Sequence, residues 1–114
     1  MQDEDLLAAT TLASFTKGFD LHVHFPTASK KDGPSAGITV TTCLVSLFTN
    51  RRVRSELAMT GEVTLHGDVL PVGGIKEKCI GAIRSGVKTV ILPLENKDSA
   101  EDLSEDIKKQ LKFH

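Results

Sequence analysis

At 114 residues, 39% hydrophobic and 25% charged, the chain has the size of one small soluble domain, able to bury about two-thirds of the surface its unfolded form exposes. A net charge of −1 gives no global field toward nucleic acid or an anionic membrane, and the absence of Trp and Tyr removes the usual stacking platforms for single-stranded nucleic acid. The longest apolar stretch, Cys43-Leu44-Val45 then Leu47-Phe48, is too short and too hydroxyl-rich to span a bilayer, and no signal peptide opens the chain, so an intracellular protein is expected. Cys43 and Cys79 each lie in an apolar pattern without a disulfide framework and are read as buried thiols.

Leu6, Ala9, Ala13 and Phe15 approximate one face of a helix over residues 5–16, closed by Lys17-Gly18. Leu21-His22-Val23-His24-Phe25 alternates strictly, predicting a half-buried strand with both histidines opposite the apolar residues. Residues 26–33 form a polar loop. Pro34, favoured in a first helical turn, opens a run over residues 35–49; the Ile38, Val40, Leu44 spacing also suits a strand, but the length argues for a buried helix. Residues 62–65 and 68–72 predict a hairpin with His66-Gly67 as a two-residue turn. Gly73-Gly74 then opens a helix whose Ile75, Cys79, Ala82 and Ile83 share a face and which Gly86 ends. Residues 87–92 read as a β-branched strand stopped at Pro93, and a weakly amphipathic acidic helix over residues 99–110 runs into a final strand at residues 111–114 that looks cut short. Helix followed by strand implies a crossover and at least one parallel pair, hence an α/β or α+β class with a mixed sheet.

The chemistry concentrates in Gly33-Pro34-Ser35-Ala36-Gly37 and in Gly73-Gly74-Ile75-Lys76-Glu77-Lys78, which read as a serine nucleophile and a lysine base. Serine is a weak nucleophile at neutral pH, so a hydrolase must set a proton acceptor beside it and aim fixed donors at the developing oxyanion. An amine is such an acceptor only when neutral. Moving a lysine from about 10.4 to about 7.5 requires roughly 4 kcal/mol, which an apolar wall can supply by desolvation. On helical angles Lys76 and Lys78 border the apolar face from opposite sides, and either could reach inward; Lys78 has the smaller neighbours. Main-chain N–H groups of residues 33–36 and the positive end of the following helix would serve the oxyanion, with Asp32 shaping the turn or capping the helix.

Other patterns carry less. Gly33-x-Ser35-x-Gly37 matches a nucleophile elbow, but residues 28–32 are polar where that elbow needs a hydrophobic strand. Ser14-Phe15-Thr16-Lys17 matches S-x-x-K without the accompanying S-D-N or K-T-G. His22 and His24 share a face yet have no third ligand at a defined spacing, and are read as site-lining or surface residues. Arg51, Arg52 and Arg54 form a basic cluster read as a solvated or subunit-contact patch. His66, His114, Lys88 and the charges of residues 97–112 are read as solvent-facing or without signal.

Lys31-Asp32-Gly33-Pro34-Ser35-Ala36-Gly37, Ala58-Met59-Thr60-Gly61-Glu62, Val69-Leu70-Pro71-Val72-Gly73-Gly74-Ile75-Lys76-Glu77-Lys78 and Val90-Ile91-Leu92-Pro93-Leu94-Glu95-Asn96-Lys97, in that order, resemble the proteolytic domain of the Lon family of ATP-dependent serine proteases. The resemblance implies one partial Lon-type proteolytic domain over residues 1–114, with the ribosomal protein S5 domain 2-like fold. It implies Ser35 as nucleophile, Lys78 rather than Lys76 as its partner, and Thr60 near the dyad, orienting the lysine through its hydroxyl. Gly33, Pro34, Ala36 and Asp32 are its supporting residues. It also implies polypeptide substrates, hexameric rings, and a bacterial cytoplasmic, mitochondrial or peroxisomal setting, with no membrane or nucleic-acid partner. No metal or organic cofactor is expected, ATP and magnesium acting only through an ATPase module whose G-x-x-x-x-G-K-[ST] motif this sequence lacks. Two departures stand out: the loop of residues 26–31 is one residue shorter than in the family, with Lys30 where proline often stands, and the flanking strands are expected to be missing at both ends. A non-catalytic assembly module and an inactive truncated fragment are the alternatives.

Overall fold

The computed structural model describes residues 18, 20–26 and 33–114; the helix expected over residues 5–16, together with Lys31 and Asp32, lies outside them. The scaffold is a parallel sheet in the order β1-β4-β5, from β1 (Leu57–Met59), β4 (Thr89–Ile91) and β5 (Lys112–Phe113), with Leu57 opposite Thr89, Met59 opposite Ile91, and Val90 opposite Phe113. β2 (Glu62–Val63) and β3 (Val69–Leu70) form a separate antiparallel pair. The mixed α/β class and the parallel pairing inferred from helix-then-strand order are therefore those of the molecule. Strand β1, which leads into Thr60-Gly61, has no periodic signal of its own because it is three residues long.

Helix α1 (Gly37–Thr49) resolves the ambiguous run as helical, although it is rich in β-branched residues. Threonine hydroxyls turn back onto its own carbonyls, Thr41 Oγ1 to Gly37 O at 2.8 Å and Thr49 Oγ1 to Val45 O at 2.7 Å. Thr39 Oγ1 instead reaches Met59 O at 3.0 Å, tying the helix to the end of β1. The helix starts two residues later than expected, because residues 34–36 form a turn closed by Gly37 N–H to Pro34 O at 3.1 Å. It ends where Asn50 takes a left-handed conformation, φ 54°.

The hairpin turn is longer than two residues. Gly67 N–H donates to Thr64 O at 3.0 Å and Thr64 N–H to Asp68 O at 2.9 Å, so Leu65, His66 and Gly67 form a three-residue loop with glycine at φ 89°. Helix α2 (Ile75–Arg84) follows as its pattern predicts, with Gly74 at its N-cap and Gly86 left-handed beyond its end. The acidic tail is two helices, α3 (Lys97–Glu101) and α4 (Glu105–Gln110), after a 3-10 turn over Leu94–Asn96. Serine competes for backbone groups inside helices and favours caps. Ser104, extended at φ −61° and ψ 151°, restarts the helix by accepting from Ile107 and Lys108 N–H.

Among the described residues the core joins Ile75 and Cys79 from α2 and Val90 from β4 with Leu103, Ile107 and Leu111. Two sequence expectations fail here. Among the described residues Leu21, Val23 and Phe25 belong to no strand, and they are about half exposed (49%, 49% and 50%). The alternation itself survives, with the His22 and His24 rings stacked on one side at 6.2 Å. Cys43 is exposed on the outer face of α1, while Cys79 is buried; both are free thiols. No helix among the described residues is long and apolar enough to cross a membrane.

Burial pushes the Cys79 thiol above its usual range, which holds the proton on sulfur in the folded chain. That contribution to stability is complete below the thiol's unfolded titration range and is lost as pH rises through it toward the folded one. A disulfide reagent should accordingly label Cys43 but not Cys79 in the native chain and label both in denaturant; rapid native labelling of both would show that α2 does not stay packed.

Candidate active site

Ser35 sits one residue ahead of Ala36, the N-cap of α1, on the turn that redirects the chain into the helix. Its main chain is anchored: Ser35 O accepts from Gly61 N–H at 2.9 Å and from the Thr60 hydroxyl at 3.2 Å. Ile38 N–H in turn donates to Gly61 O at 3.0 Å, so the serine turn is stitched to the exit of β1 on both sides. The Gly37 N–H is taken by Pro34 O, whereas among the described residues no carbonyl takes the Ser35 or Ala36 N–H. Both donors lie at or just ahead of the N-cap, beside the positive end of a 13-residue helix. Gly33 begins the turn with φ 73°, a conformation that suits glycine.

The two lysines left open by periodicity are distinguished by the fold. Lys76 is exposed, while Lys78 is half-buried and its Nζ donates to Thr60 Oγ1 at 3.1 Å. Thr60 is 8% exposed and fixed by its own N–H to Ile91 O at 3.2 Å. A single hydroxyl thus donates to the Ser35 carbonyl and accepts from the Lys78 amine. Among the described residues Lys78 has no carboxylate within ion-pair distance and no direct hydrogen bond to Ser35 Oγ; the two are joined through Thr60. Asp32 lies outside the described residues, and the cap position belongs to Ala36, which makes no side-chain cap bond.

Other candidates separate from this constellation. His66 and His114 are exposed, as are Arg51, Arg52 and Arg54. His22 and His24 belong to no group of three or more metal-ligating side chains among the described residues. An open apolar depression of about 540 Å³, lined by Val23, Phe25, Pro34, Ala36, Val40 and Val63 among others, adjoins the serine turn. Sequence reasoning gave no role to Gly61. Its signal was there in the Thr60-Gly61 pair at the end of a short apolar run, because a glycine beside a strand end often marks close backbone approach.

One buried hydroxyl on an α/β scaffold thus holds both the Ser35 main-chain carbonyl and the Lys78 amine. Residues 6–114 match the family described as Lon protease (S16) C-terminal proteolytic domain. The chain is 58% identical over 96 residues to a Lon protease of Desulforamulus reducens, covering 83% of this chain and 12% of that protein. It is 52% identical over 122 residues to a mitochondrial Lon protease homolog of Ostreococcus lucimarinus, covering 94% and 13%. It is 55% identical over 95 residues to the peroxisomal Lon protease homolog 2 of Rattus norvegicus, covering 82% and 11%. The chain belongs to the Lon proteolytic-domain family and spans between 11% and 13% of the length of these curated relatives.

A methyl group at position 61 would lie 2.9 Å from Val69 Cγ1, 3.3 Å from Ile38 Cγ2 and 3.5 Å from Pro93 Cγ, closed on three sides. Gly61→Ala should therefore lower the unfolding free energy by about 1–3 kcal/mol in a urea titration, the usual result of overpacking. Gly81→Ala, on an open face of α2 with nothing within 4 Å, should instead be neutral or stabilising by up to about 1 kcal/mol. Equal responses would mean that the β1 exit is not held as described.

Proposed function

We propose that this domain hydrolyses peptide bonds with Ser35 as nucleophile and Lys78 as general base. The observation that carries the reading is the pair of contacts at Thr60 Oγ1, 3.1 Å from Lys78 Nζ and 3.2 Å from Ser35 O, which holds both groups against one oxygen. With substrate seated, Lys78 Nζ shares or leaves its Thr60 contact and turns to Ser35 Oγ, a tightening common on going from free enzyme to substrate complex. Neutral Lys78 takes the Oγ proton as the Oγ–carbon bond forms, and the carbonyl oxygen becomes an oxyanion facing the Ser35 and Ala36 N–H groups. Collapse breaks the carbon–nitrogen bond, the ammonium of Lys78 protonates the departing amine, and water repeats the cycle on the acyl-enzyme to release an acid. Thr60 keeps the amine in reach throughout.

In this reading the substrate is an unfolded or damaged polypeptide, and the apolar depression beside the serine turn receives one of its side chains. The chemistry uses protein groups alone. ATP and magnesium enter through an ATPase module carried elsewhere in the full-length protein, which works as a hexameric ring. The setting is intracellular: bacterial cytoplasm, mitochondrial matrix or peroxisome, in keeping with the names of the relatives.

In the full-length protein Ser35→Ala and Lys78→Gln should each reduce hydrolysis of a small unstructured peptide by about three orders of magnitude or more, with the fold intact by circular dichroism. Lys76→Gln should stay within a few-fold of the parent. The assignment is lost if Lys78→Gln retains turnover while Lys76→Gln does not. Small-peptide cleavage should also proceed without nucleotide, whereas degradation of a folded protein should require ATP; a strict nucleotide requirement for both would remove the separation of chemistry from unfolding.

A further inference from the structure

We propose that Asn96 is a positioning residue for Lys78: a buried side-chain amide that fixes where helix α2 begins and thereby where the lysine amine ends. The inference rests on the Ser35 and Lys78 reading given above. Asn96 is 5% exposed and closes the 3-10 turn after β4. Its Oδ1 accepts from Val72 N–H at 2.9 Å, its Nδ2 donates to Val72 O at 2.9 Å, and Nδ2 also lies 3.5 Å from Ser99 Oγ. Only one orientation of the amide satisfies both main-chain groups, so the contact copies the two-point pairing of a neighbouring strand and fixes the direction of Val72 as well as its place.

What Val72 leads into makes this more than a structural contact. Gly73 and Gly74 follow, Gly74 with φ 69° as the N-cap of α2, and Lys78 closes the first helical turn with its N–H to Gly74 O at 3.0 Å. Two successive glycines are a loose entry to a helix, because glycine restricts φ and ψ least. The clamp removes that freedom immediately upstream of them. The other end of the arrangement hangs from the same strand, since Ile91 O holds Thr60 N–H at 3.2 Å. A closed circuit results: Thr60 to β4, β4 through Pro93 to Asn96, Asn96 to Val72, Val72 through α2 to Lys78, and Lys78 Nζ back to Thr60 Oγ1 at 3.1 Å. Opening it at Asn96 leaves the entry to α2 held only by the packing of Ile75 and Cys79, with the two glycines ahead of it unclamped.

The test is kinetic. Asn96→Asp keeps an acceptor for Val72 N–H but sets a second acceptor against Val72 O; Asn96→Ser removes the amide without adding charge. In the full-length protein, folded at the assay temperature by circular dichroism and thermal melting, Asn96→Asp should lower kcat for a small unstructured peptide tenfold or more, with KM within twofold, and Asn96→Ser should fall between it and the parent. A lowered melting temperature with kcat per folded molecule within twofold overturns the proposal, because that is what a merely structural amide would give. In the parent protein the Val72 amide should exchange with deuterium as slowly as the core amide of Val90; exchange at the rate of an exposed turn overturns the clamp even if neither variant folds. Ser35→Ala and Lys78→Gln, run alongside, separate the two readings. Turnover retained in either removes the dyad itself, whereas inactivity of both with an unimpaired Asn96→Asp removes only the positioning role.

Discussion

One threonine hydroxyl determines the geometry of the site. A hydroxyl has a single proton to give and lone pairs with which to accept. At Thr60 the proton goes to the Ser35 carbonyl and a lone pair goes to the Lys78 amine, so two segments far apart in sequence are referenced to one oxygen. That oxygen is useful only if it does not move. Its strand is paired through Met59 to Ile91, its own N–H is held by Ile91 O, and the next residue is a glycine with no room for a side chain.

The location follows a general property of parallel sheets. Their crevices open beyond the carboxyl ends of the strands, where successive connections part to opposite sides. Thr60 leaves the carboxyl end of β1 and Pro93 that of its neighbour β4, and the serine turn packs over the first of these exits. The apolar core of Ile75, Cys79, Val90, Leu103, Ile107 and Leu111 backs the sheet and holds α2 by two of its own residues. Helix α2 therefore presents Lys78 from a face set by the packing of Ile75 and Cys79.

Charge is kept at the periphery. The ion pairs among the described residues, Lys97 with Glu101 and Lys108 with Glu105, are local to one helical turn and mostly solvent-exposed, where such pairs contribute little. Among the described residues the half-buried Lys78 has the Thr60 hydroxyl, and no carboxylate, as its partner.

The sequence by itself determined the class, helix α2 and the central strand β4, whose apolar periods are local properties of the chain, and it favoured α1 by the length of its run although its spacing also suited a strand. It also marked Ser35 and a nearby lysine, since glycine, proline and serine in that order describe a turn into a helix whatever surrounds it. It did not fix the short elements. Strand β1 arises from pairing with β4, about 30 positions further along the chain, and the segment of residues 21–25 kept its alternation without acquiring a strand. Helical angles left both lysines at the border of one apolar face, with only smaller neighbours and the family resemblance favouring Lys78; the tertiary structure turned Lys78 inward through what it sets opposite the two. It placed the Thr60 hydroxyl against one and solvent against the other. A contact between residues that share no local period leaves no trace in either segment alone.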